Sequence, residues 1–183
     1  MKVYRFKTAS PDRYWCAYLP EGRPDITLGL GRNRLLDGWQ PWHVDLERGD
    51  GRQFSDFPSL TGGVITVLQK AFSCYQSMLS RLENVEILPC TSDAGALYIL
   101  NVLNVVDCFD RAKSVYTERR GGKGFIDVAE KYEFRSSVLA GQHIFKFPEA
   151  MSQAIFVSDD FVSIARDNDL QGLELRDPIW SSE

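Results

Sequence analysis

A chain of 183 residues, 44% hydrophobic and 25% charged, has the composition of an ordinary folded domain and is long enough to bury a core without disulfides or a structural metal. Its 21 Lys plus Arg against 25 Asp plus Glu give a net charge of −4, too acidic for a protein whose main task is to hold a phosphate backbone, so nucleic acid is not expected as a partner. No stretch reaches the roughly 18 continuous apolar residues of a spanning helix, MKVYRFKTASPDRYWC lacks the apolar run of a leader, and the four cysteines include no CxxC pair; the expectation is a cytoplasmic chain with reduced thiols and no membrane partner.

KVYRF at 2–6 alternates polar and apolar residues, and RYWCAYL at 13–19 is rich in aromatics, so both predict strands. Between Gly22 and Pro58 the density of Gly, Asp, Arg and Pro predicts a long, partly irregular excursion pinned by Trp39, Trp42 and Phe57. Leu68, Ala71, Phe72, Tyr75, Leu79 and Leu82 then recur at spacings of three and four, the pattern of an amphipathic helix. Thr66 followed by Gln69 has capping-box spacing, which sets that helix at about 67–82, packed through Phe72, Tyr75 and Leu79.

Apolar runs of strand length follow: VEILPC at 85–90, ALYILNVLNVV at 96–106, KYEFR at 131–135, HIFKF at 143–147 and AIFVS at 154–158. Their short connectors favour an antiparallel sheet over repeated crossover units. RRGGKG at 119–124 reads as a solvated hairpin tip. Ser158 before DDFVSIARDN marks a capped helix at about 159–168 with carboxylates near the positive end of its dipole, and LELRD at 173–177 reads as a last strand. The fold class is α+β, one domain over 1–183, mainly antiparallel.

None of the candidate chemistry is complete. GLGRNRLLDG lacks the third glycine and the helix of a dinucleotide fingerprint. Asp45, Glu47, Asp50 and Asp56 resemble a calcium loop, but Asp50 stands where the sharp turn needs glycine and Asp56 where a bidentate glutamate belongs. His43 and His143 have no second ligand at metal spacing, so no metal or cofactor is expected. Cys90 or Cys108 with His143 would make a nucleophile and base, yet nothing local marks either thiol as activated. In NVLNVVDCFDRAKS, Asp107 and Asp110 read either as a carboxylate pair or, more simply, as turn formers where Val102, Val105 and Val106 finish a core strand.

Several stretches, in this order, resemble an immunity-protein family of bacterial polymorphic toxin systems, the Imm family numbered eleven. They are GWQP with Trp39, SDFPSL with Asp56 and Pro58, the helix from Thr66, VEILPC with Pro89, YILNVLNVVDCFDRAKS with Asn101, Asp107 and Asp110, IFKFPEA, and IFVSDDFVSIARDNDLQGLEL with Ser158 and Gly172. The likeness is strongest over 39–177. It implies a cytoplasmic protein that binds a secreted cognate toxin and blocks it, with no catalytic residues of its own. The matched residues are apolar, turn or capping types and read as fold determinants. The toxin contact is expected elsewhere, in the irregular region bearing Arg32, Trp39, Trp42, Asp45, Glu47 and Asp50, since aromatic and Arg side chains anchor interfaces. Two other classes are an enzyme that reverses a toxin's modification, using Asp107, Asp110 or Cys108, and a ligand-binding or accessory module of a secretion cluster. A deep pocket around those residues would favour the first, and an open apolar cavity the second.

Overall fold

Lys2–Arg5 (β1) buries Val3 and Tyr4, which as neighbours on a strand point to opposite faces, so β1 divides two hydrophobic clusters. The computed structural model describes residues 1–18, 29–49, 51–60, 64–118, 124–150 and 154–182. Among them β1 lies between Phe156–Ser158 (β10) and Trp180–Ser181 (β11), with Ile144–Phe145 (β9) beyond β10. A second sheet holds Ile65–Leu68 (β4), Gly95–Val102 (β6) and Val85–Ser92 (β5), with β6 central. Cys16–Tyr18 (β2) pairs with Asp45–Glu47 (β3), and Val115–Glu118 (β7) with Ile126–Lys131 (β8). Every strand pair is antiparallel and helices pack among them, so the architecture is α+β.

The amphipathic helix, Gln69–Leu79 (α1), begins later and ends sooner than its periodicity predicts. Thr66 is not a cap. It lies in β4, where its hydroxyl donates to the Pro58 carbonyl, and Leu68 belongs to the same fully buried strand. The helix starts without a side-chain cap, and Gln69 instead accepts a hydrogen bond from the Tyr98 hydroxyl at 2.9 Å. Ala71, Tyr75 and Leu79 form its buried face, while Phe72 is half-buried and stacked on Tyr98 at 3.9 Å.

Asp159–Asp167 (α3) starts as its sequence predicts, with Ser158 Oγ accepting from the Phe161 amide at 3.3 Å. It packs on α1: Tyr75 and Phe161 stack at 4.3 Å, and the Tyr75 hydroxyl donates to the Phe161 carbonyl at 2.8 Å.

Other strands stop where tertiary pairing ends. β6 ends at Val102, with one last bond from the Leu103 amide to the Asn84 carbonyl continuing the β5 register; Val105 is exposed and makes a single bridge to Lys146. KYEFR is mostly past β8, with Phe134 in an isolated bridge to Phe109 before the short helix Ser136–Leu139 (α2). LELRD contributes one bridge, Leu173 to Thr8, and the last strand is β11. Of the basic run at 119–124, all but Gly124 lies outside the described residues.

Candidate functional site

Strand alternation gives β2 and β3 an inner and an outer face. Ala17 and Leu46 point inward to the cluster containing Leu88, Leu97 and Ile99, while Tyr18, Asp45 and Glu47 point outward. The Tyr18 hydroxyl donates to Glu47 Oε2 at 2.7 Å, and Arg52 reaches Glu47 Oε1 at 3.0 Å and the Cys16 sulfur at 3.0 Å. Tyr18, then Arg52, hold the Glu47 carboxyl below its ordinary range, and hydrogen bonding to Cys16 and then Glu47 keeps the Tyr18 hydroxyl protonated well above its own.

Beside this cluster Trp15 meets Phe54 edge-to-face at 5.0 Å, with the Arg48 guanidinium 5.7 Å from the indole. Arg48 also pairs with Asp93 at 3.4 Å, and Asp93 with His43 at 3.0 Å. Tyr18 is 50% and Phe54 43% exposed. The result is a surface of aromatic rings and arginines bordered by carboxylates, with its side chains cross-bonded in place.

Of the predicted contact residues, Asp45 and Glu47 sit on this face. Trp39 and Trp42 stack at 4.4 Å and lie half-buried along β5, where the Trp39 indole donates to the Pro89 carbonyl at 2.8 Å. Arg32 is apart from them, exposed beside the buried Lys146 amine; Asp50 lies outside the described residues. Tyr18, Trp15, Arg48 and Phe54 were not singled out from the sequence. RYWCAYL carries the aromatic signal, but which rings face outward is set by the pairing of β2 with β3.

A family model, the Immunity protein family (Imm11), matches residues 87–178, just over half of the chain. The chain belongs to this immunity protein family. No curated protein matches it.

The Imm11 span takes in Pro89, Asn101, Asp107, Asp110, Ser158 and Gly172, and leaves Trp39, Asp56, Pro58 and all of β2 and β3 outside. Asn101 is fully buried: its carbonyl oxygen accepts from the Gly31 amide and its amide donates to Glu86 Oε2 at 2.8 Å, while Glu86 accepts from the Leu35 amide at 2.9 Å. These side chains fasten the 31–36 segment to β5 and β6. Asp56 is likewise fully buried, bonded through Oδ2 to the Gln171 amide at 2.8 Å, and the next residue, Gly172, lies against Ser55.

Asp110 Oδ1 accepts from the Ala112 and Lys113 amides at 3.1 and 3.3 Å, closing the turn at 110–113. Asp107 is exposed and paired with Arg135 at 2.6 Å. Burial pushes the Cys90 thiol up to about 11 and that of Cys108 up to about 12, so neither is a thiolate at neutral pH. His143 bonds to Ser158 Oγ at 3.1 Å and lies 3.4 Å from Asp160. Among the described residues, no group of three or more His, Cys, Asp or Glu could hold a metal ion, and no helix is long and apolar enough to cross a membrane.

Proposed function

We propose that this immunity protein neutralises a cognate secreted toxin in the cytoplasm by direct one-to-one binding, and that the outer face of β2 and β3 is part of the contact. The observation that carries the reading is the exposed Tyr18, Phe54 and Arg48 around the half-buried Trp15, between fixed carboxylates, which has the make-up of an interface centre with a charged rim. Its position outside the Imm11 span suits a surface that differs from one toxin to the next while the shared fold stays constant. The net charge of −4 would steer the protein onto a basic toxin surface.

The test is titration calorimetry against the cognate toxin domain. One-to-one saturation is expected, and Tyr18→Ala or Phe54→Ala should each cost about 2 kcal/mol, roughly thirtyfold in Kd, without unfolding the protein. Abolition of toxicity by trace amounts of protein against a large toxin excess, with no complex seen in the calorimeter, would overturn stoichiometric inhibition.

A further inference from the structure

The ladder between β1 and the C-terminal segment is interrupted in its middle. The Val3 carbonyl accepts from the Ile179 amide at 2.9 Å and the Lys7 carbonyl from the Glu174 amide at 2.9 Å. Tyr4 opposes Val157 and the Phe6 amide donates to the Ile155 carbonyl, so the main-chain groups of Arg5 point the other way, toward residues 174–179. That segment, with Pro178 in it, arches past them. Among the described residues no main-chain hydrogen bond joins the Arg5 N–H or C=O to residues 174–179.

A cleft of about 700 Å³ opens at this gap, within the range of pockets that hold ligands. Phe6, Leu60, Val64, Phe161 and Leu173 give it apolar walls. Among the described residues its charges balance: Arg5, Lys7 and Arg176 against Asp127, Glu174 and Asp177, with Glu174 bound to Lys7 at 2.6 Å and also to Arg176. A balanced lining gives no net attraction for a phosphate or another polyanion. It suits a neutral main chain with apolar side chains. A second trough of about 630 Å³ shares Lys7, Thr8, Leu173 and Glu174 and runs on to Arg13, Tyr14 and Ser59. Tyr14 adjoins Trp15, and Ser59 is bridged to β2 at Cys16, so the groove leads from the β1 gap to the candidate face.

We infer that this groove takes an extended, apolar, uncharged segment of the toxin, which bonds its main chain to the Arg5 N–H and C=O and rests its side chains on Phe6, Leu173 and Leu175. This rests on the toxin-binding reading and names the element of the toxin involved. Pairing with an open stretch of strand supplies affinity through main-chain bonds, and the walls supply selectivity. The contact is local, because Val3 and Lys7 on either side are already paired.

Seven-residue peptides displayed on phage provide the probe. The expected result is enrichment of apolar, uncharged sequences whose synthetic peptides shift the Arg5 amide resonance on binding. Arg5→Pro removes the N–H that faces the gap, and Leu175→Glu places a carboxylate at the mouth of the cleft, where Leu175 is 36% exposed. Each should weaken the peptides about tenfold with little change in Tm; should the proline variant fold poorly, Leu175→Glu still decides. No enrichment, or peptides bound undiminished by both variants, would overturn the inference. Against the toxin domain, a wild-type complex that the folded variants form equally well removes this inference and leaves inhibition standing, whereas no wild-type complex removes the inhibition reading itself.

Discussion

Lys146 is 3% exposed, and among the described residues its ammonium has one hydrogen bond, to the Gly31 carbonyl at 3.0 Å. Burial, with a smaller push from the Arg32 cation, lowers its pKa to about 8 from an ordinary value of 10.5. Between those two values the unfolded chain holds the proton that the folded chain has released, so this group adds stability as pH rises from about 8 to about 10.5, and below 8 it imposes the full cost of a buried charge. Lys146→Met should remove that dependence: the Tm of the wild type relative to the variant should climb between pH 7.5 and 10, and a flat difference would contradict it. Gly172 is constrained by space as well as by its φ of +95°, for an added Cβ would sit 1.9 Å from Ser55 Oγ and 3.1 Å from the Ser55 Cα. Gly172→Ala should therefore cost about 1–3 kcal/mol for the backbone alone, with the clash added. Urea denaturation should show the loss, and Ser55→Gly should restore only the part due to the clash.

At the scale of elements, α1 and α3 are joined by two stacked, fully buried rings, Tyr75 and Phe161. Tyr75→Ala should cost about 3–5 kcal/mol in urea denaturation, and Phe72→Ala, at a half-buried site, about 1–2 kcal/mol. The buried face of α1 was legible because a 3.6-residue period is local, and the start of α3 because a serine cap acts within three residues. The start of α1 was not legible: β4 is four consecutive buried residues running straight into the helix, and an apolar run of that length has no period of its own. β9 and β11, two residues each, exist only through partners far along the chain. The candidate site was half legible for the same reason. Asp45 and Glu47 were flagged by composition, but only their pairing with β2 places Tyr18 beside them. The Trp39–Trp42 stack lies along β5, an edge strand of its sheet that also carries Pro89, and covering and proline are both common ways of blunting such an edge. Trp39→Ala is then expected to self-associate as concentration rises, which sedimentation velocity would reveal; a strictly monomeric variant would refute the covering role.

For the molecule as a whole, steering by net charge predicts that the rate of association with a basic toxin falls as salt rises while the dissociation rate changes little; stopped-flow mixing at low and high ionic strength measures both. The placement of β1 between β10 and β11 has a further consequence, in time. Arg5 is opposite Phe156, so the first strand of the sheet has its neighbour only after some 150 further residues have been made. At synthesis rates of about 5–20 residues per second that interval is roughly 8–30 s. Throughout it the nascent chain carries an unpaired N-terminal strand, and the sheet closes only when residues 156–158 emerge. A ribosome-stalled chain ending before residue 154 should stay sensitive to protease near its N-terminus, and one extending past residue 182 with its exit-tunnel linker should become resistant.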